Sequence, residues 1–197
     1  MVPQHCSLED ATVFFIRKEI FMKVYVIAGK AGSGKSEVAK YIKEYYIYQK
    51  AETVITEYSK YIKMFAKELT DWDGNNANKP RGFLQKFGSY VRYEMGEEKF
   101  FVNRMLEDLE IYDNFTDVVA ISDARYPIEI EEIKKAYPDA VSIYVMNQFS
   151  KSTLSIEEQT HSSELALEDY NNFDYTIAND DVNALKDKVF KILEGEK

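Results

Sequence analysis

Apolar residues gather in short runs along this chain. Residues 23–28, KVYVIA, are almost free of polar side chains, and similar runs recur at 52–56, 117–122, 140–146 and 174–178. Unbroken β-branched and aromatic runs of this length predict strands buried on both faces, with 23–28 central. Between the runs the period becomes helical. Val38, Ile42 and Tyr45 share one face after the first strand, and Phe101, Met105, Leu109 and Tyr112 share another. The stretch PIEIEEIKKA opens on Pro127, with glutamates early and lysines late, as a helix dipole favours. Residues 181–193 carry a stripe of Val182, Leu185, Val189, Ile192 and Leu193. Strands alternating with helices predict an α/β fold, a three-layer architecture around a five-stranded parallel sheet with right-handed crossovers.

Two polar stretches break the alternation. Residues 70–82, TDWDGNNANKPRG, are dense in turn formers, and residues 147–164 follow a strand directly. Both are expected at the rim of the sheet, where open α/β folds bind ligands. Residues 1–21 precede a second methionine, Met22, and the first strand begins at once after it. Ser7 and Asp10 suit a capping box for a short extra helix. The reading preferred here is that the native chain starts at Met22, with 22–197 as one domain and 1–21 as an extension.

Composition narrows the class. A chain of 197 residues, 45% hydrophobic and 30% charged, fits one globular domain. No apolar run reaches the ~20 residues of a membrane span, so no membrane partner is expected. The net charge of −9 argues against a nucleic-acid partner. The one cysteine, Cys6, has no internal partner, which fits a cytoplasmic setting.

The chemistry starts at Gly29. Four residues separate it from Gly34-Lys35-Ser36, matching the phosphate-binding pattern G-x-x-x-x-G-K-[ST] between a strand and a helix. Gly29, Ala31, Gly32, Ser33 and Gly34 form a bare loop whose N–H groups can converge on an anion. Lys35, expected on an exposed loop, can reach the β- and γ-phosphates of ATP, and the Ser36 hydroxyl can ligate Mg²⁺. At the far end of the third strand, Asp123 can hold Mg²⁺ or cap the next helix. Arg125 follows within reach of a phosphate. Arg81, Arg92 and Arg104 lie between the second and third strands. Each can grip an acceptor phosphate through its planar fork or pair with a surface carboxylate such as Glu94 or Glu107.

Five segments together carry a resemblance: GKAGSGKS, KPRGFLQKFGSYVR, AISDARYPIEIEEIK, THSSE and FDYTIANDDVNALKDKV. From Met22 onward the chain resembles the phage-type deoxynucleoside monophosphate kinases, a branch of the P-loop nucleoside monophosphate kinases. That resemblance implies a nucleoside monophosphate kinase-like fold, ATP and Mg²⁺ as cofactors, small-molecule nucleotide partners and a monomer or homodimer. It places Lys35 and Ser36 on ATP and Mg²⁺, with Asp123 and Arg125 at the transfer site. It places Arg81, Gln85 and Arg92 on the acceptor side, and Asn179 near the adenine. The acceptor region would be 57–116 and the lid 147–160, with His161 and Glu164 on the helix after it. Taken from the residues alone, that pair suits a surface hydrogen bond or a helix cap. The chain departs from the family in reading EYSKYIK where an aspartate-proline pair is common, and its lid offers Lys151 in place of arginine. A small-molecule kinase of phosphomevalonate kinase type and a non-catalytic nucleotide-binding protein are the alternatives.

Overall fold

The computed structural model describes residues 22–147 and 154–196. The extension 1–21 and part of the expected lid, including Gln148 and Lys151, lie outside the described residues. Strands β1 (Lys23–Ala28), β2 (Thr53–Thr56), β3 (Val118–Ala124), β4 (Val141–Met146) and β5 (Tyr175–Ala178) form one five-stranded sheet. All neighbours pair in parallel, in the order β2-β3-β1-β4-β5. β1 is central because it can afford no polar face: from Val24 to Ala28 every residue is buried. The strand runs read from sequence hold to within two residues at either end.

Alternate residues of β1 feed two cores. Tyr25 and Ile27 pack with helices α1 (Lys35–Tyr48) and α8 (Val182–Gly195) through Val38, Ile42, Leu185 and Val189. Val24 and Val26 pack on the opposite face with α4 (Phe100–Tyr112) and α5 (Pro127–Ala136) through Met105, Leu109, Ile130 and Ile133. The interval 57–116 holds α2 (Lys60–Leu69), α3 (Arg81–Ser89) and α4, with a π-helical turn over Tyr90–Glu94 between the last two. Two short helices, α6 (Ile156–Gln159) and α7 (Ser162–Leu165), precede β5. No helix among the described residues is long and apolar enough to cross a membrane.

Strand order reverses at β1, with β2 and β3 to one side and β4 and β5 to the other. The crevice at the carboxyl ends of these strands is where such sheets bind ligands. β3 runs past the expected end at Ser122. Between the pairs Val26–Ile121 and Ala28–Ala124 it carries one extra residue, a bulge of the kind that re-aims a side chain. Asp123 leaves the strand at this bulge. One of its oxygens accepts from Tyr58 N–H at 2.7 Å and the other from Ser59 N–H at 3.0 Å. It therefore pins the β2–α2 connection and does not cap α5. Tyr126 stands at the N-cap of α5. Glu129, three residues on, accepts from the backbone N–H groups of Arg125 at 2.7 Å and Tyr126 at 3.1 Å.

Glu129 is 1% exposed and also takes Arg92 Nη2 at 2.7 Å. Arg92 lies 4.3 Å from the ring centroid of Tyr126 and 4.7 Å from that of Phe101. The carbonyl of Glu129 accepts from the Tyr58 hydroxyl. Burial pushes the Glu129 carboxyl upward, while Arg92 and the two backbone N–H groups pull the other way. Removing one partner of a buried pair leaves the other charge without a partner, at roughly 3–5 kcal/mol. Glu129→Ala is expected to lose about that much stability in urea denaturation. A loss under ~1 kcal/mol for the alanine variant would show that this pair does not hold the fold.

Candidate active site

The phosphate loop is built by positions where a side chain cannot fit. Gly29 has φ +145°, and a Cβ there would lie 2.5 Å from the Val145 carbonyl oxygen and 2.8 Å from Ser33 Oγ. Gly34, at φ +103°, would place a Cβ 2.4 Å from the Asn179 amide nitrogen. β4 and the β5–α8 turn thus press on the loop from behind. Asn179 donates its amide to the Ser33 carbonyl at 2.9 Å, so its side chain braces the loop. Ser33 Oγ is buried with no hydrogen-bond partner, an open polar group beside a loop of converging N–H groups. That donor set, with α1 pointing its positive end the same way, fits the phosphates of a nucleotide.

Lys35 is the first residue of α1 and is buried, not exposed as its loop position suggests. Its Nζ donates to the carbonyls of Gly29 at 2.8 Å and Lys30 at 2.7 Å. Burial, reinforced by Arg125, pulls its pKa down to about 7. Ser36 and Asp123 line the same cavity, of about 470 Å³. No cluster of three or more acidic, histidine or cysteine ligands occurs among the described residues. Mg²⁺ keeps several waters and needs only one or two protein oxygens beside the phosphates, so a hydroxyl and a carboxylate suit it.

The cavity runs from Lys35 and Ser36 past Asp123 and Arg125 to Lys79, Arg81 and Gln85. It brings together the residues expected on the ATP and acceptor sides; Arg104 and His161 take the salt-bridge and helix-cap alternatives, while Arg92, Gln85 and Glu164 differ from expectation. Arg92 reaches the cavity wall with its guanidinium engaged by Glu129, a buried pair where a surface one with Glu94 was the alternative. Arg104, on α4, pairs with Glu107 one turn on. Gln85 donates to the Glu158 carbonyl at 3.2 Å, tying α3 to α6. His161 is the N-cap of α7: its Nδ1 accepts from Ser163 N–H, and its Nε2 meets Ser89 Oγ at 2.9 Å. Glu164, however, is buried. It spans Arg125 Nη1 and the Ala31 N–H, each at 2.8 Å.

Sequence reasoning missed Lys79 as a lining residue. Burial, with Lys63 and Arg81 nearby, pulls its pKa down to about 8. Among the described residues Lys63 pairs with Glu57, while neither Lys79 nor Arg81 has a carboxylate partner. Lys79 follows the turn-rich NNAN run, and nothing in its local pattern marks it off from other lysines. Glu129 did carry a signal: it stands in the P-x-E of the strand-end motif.

No family model and no curated protein matches the chain. Solved structures share its fold. The APS kinase CysC of Mycobacterium tuberculosis, in complex with AMPPNP and APS, superposes with a TM-score of 0.57 at 13% identity, covering 88% of this chain and 98% of that one. A shikimate kinase from Bacteroides thetaiotaomicron gives 0.51 at 15% identity, covering 88% and 99%. The fold is that of the P-loop kinases.

The depressed lysine has a measurable consequence. Between about pH 7 and about pH 10.5 the unfolded chain keeps a proton at Lys35 that the folded chain lacks. Stability rises with pH wherever the unfolded state binds more protons. In that window the wild type is expected to gain stability relative to Lys35→Met, on the order of 1 kcal/mol per pH unit. Parallel pH profiles from urea melts would contradict the lowered pKa of the buried Lys35.

Proposed function

We propose that this protein transfers a phosphoryl group directly from ATP to a (deoxy)nucleoside monophosphate. The observation that carries the reading is the single cavity joining the phosphate loop to a wall with two cations that have no carboxylate partner, Lys79 and Arg81. Half-buried like charges are tolerated where an anion is to be bound, and a phosphate on the acceptor is such an anion. The order of motifs resembling the phage-type deoxynucleoside monophosphate kinases supports the same acceptor. The likeness in fold to structures named as kinases of small molecules, one holding the nucleotide analogue AMPPNP, supports phosphoryl transfer from a nucleotide and is silent on the acceptor.

ATP would supply the phosphoryl group, and Mg²⁺ would offset charge on its phosphates. Lys35 and the N–H groups of the loop would bind the phosphates. Ser36 and Asp123 would hold the metal. Arg125 faces the space between loop and acceptor wall and would stabilise charge on the group in transfer. Lys79 and Arg81 would grip the acceptor phosphate, with Gln85 beside them to read the base or sugar edge. Positioning and preset charge suffice for such transfers, so no covalent enzyme intermediate is invoked. Residues 147–160 would form the lid that excludes water.

The test is ADP release measured across nucleoside and deoxynucleoside monophosphates, with phosphomevalonate and hydroxyl acceptors lacking phosphate as comparisons. Turnover is expected with one or more monophosphates. Turnover with phosphomevalonate alone would favour the other kinase class, and ATP binding without turnover a non-catalytic role. Arg81→Ala is expected to lower kcat/KM for the monophosphate at least tenfold while ATP affinity stays within about twofold. Equal losses for both substrates would remove Arg81 from the acceptor site.

A further inference from the structure

Glu164 is a buried acid that the transfer chemistry above does not use. One of its oxygens takes the N–H of Ala31 in the phosphate loop, and the other takes Arg125, each at 2.8 Å. The loop's other charged group is also satisfied from within, since Lys35 bonds the Gly29 and Lys30 carbonyls. A second cavity, of about 370 Å³, lies over the loop beside the end of β4. Ala31, Leu154 and Glu164 line both cavities, so the carboxylate stands where the two meet. Four residues further along, Glu168 reaches Lys30 at 2.5 Å and ties the same segment to the loop.

We infer that Glu164 is a placeholder anion, occupying the phosphate loop in the absence of nucleotide and displaced from it when nucleotide phosphates bind. This rests on the nucleotide reading above. A carboxylate and a phosphate compete for the same N–H and the same guanidinium, and in a partly dry site they repel one another. The carboxylate sits on α7, a helix of four residues, the kind of element that opens at low cost. Displacement has a direction: α7 is capped by His161, which bonds Ser89 at the end of α3, so an outward shift of α7 reaches the acceptor side. Competition from within weakens apparent affinity by the fraction of protein in the occupied state. Removing the charge therefore tightens nucleotide binding, the reverse of what a metal ligand or a residue holding Arg125 for substrate would give.

Titration calorimetry of the full chain with ATP, with and without Mg²⁺, tests this on the wild type and on Glu164→Gln. Glutamine keeps an oxygen for Ala31 and loses the charge. Affinity is expected to rise about tenfold in the variant under both conditions. ATP bound equally well or less well by the variant overturns the inference and leaves the nucleotide reading intact. ATP bound by neither protein overturns both. Amide hydrogen exchange on the wild type needs no variant: protection over residues 162–165 is expected to fall as ATP is added, while that over 31–36 rises. Protection over 162–165 that holds or increases with bound ATP overturns the displacement.

Discussion

A buried carboxylate must be neutralised where it stands, and Glu129 is neutralised by groups from across the site. Arg92 brings in the turn after α3, and two backbone N–H groups bring in the stretch that leads from β3 to α5. The peptide carbonyl of Glu129 receives Tyr58 from the β2–α2 connection, which Asp123 grips by its backbone. The tip of β3, the turn after α3 and the start of α5 therefore have one common partner. Desolvating a carboxylate is costly, and the cost is offset only in the geometry where all these donors converge. That requirement fixes where Asp123 and Arg125 face the phosphate loop.

The remaining charges divide by whether they find a partner. Arg92 and Arg125 have buried carboxylates, and Lys63 has Glu57. Lys79 and Arg81 have none among the described residues, and burial, with Lys63 and Arg81 nearby, lowers the proton affinity of Lys79. Like charges near one another in a desolvated site repel more than they would in water. A protein gains nothing in folding from such an arrangement. On the proposed reading, a dianion entering between the cations would relieve that repulsion, so unfavourable charge at this wall would be returned as affinity for a phosphate.

Sheet, helices and phosphate loop were legible because each is written locally. A run such as KVYVIA can bury both faces only between two other strands, and Gly29 and Gly34 stand where a Cβ would collide with neighbouring backbone or side chain. The partners that decide each arginine's role were not legible. Arg92 meets a carboxylate 37 residues away, and Ala31 meets one 133 residues away. Local pattern reads Glu129 as a dipole partner at a helix start, which it is. It does not reveal that the same carboxylate is almost fully buried, since that depends on Arg92, Tyr58 and Phe101 arriving from other segments. Lys79 was hidden for a related reason: its role comes from the company of Lys63 and Arg81, and one lysine in a polar turn looks like any other.

The donors of the phosphate loop are occupied from within the chain. N–H groups and an ammonium turned inward without acceptors would each cost about as much as a lost hydrogen bond, more for the charge. Lys35 finds carbonyls of its own loop, Ala31 finds Glu164, and Asn179 braces Ser33 from behind. The internal acceptors differ in kind. Carbonyls are dipoles that Lys35 can leave by rotating its side chain, whereas Glu164 carries a full charge that cannot stay beside a phosphate. A site filled only by dipoles would bind nucleotide with little rearrangement. On the proposed reading, one filled by a carboxylate on α7 would couple binding to movement of that helix, and through His161 and Ser89 to α3, which carries Arg81.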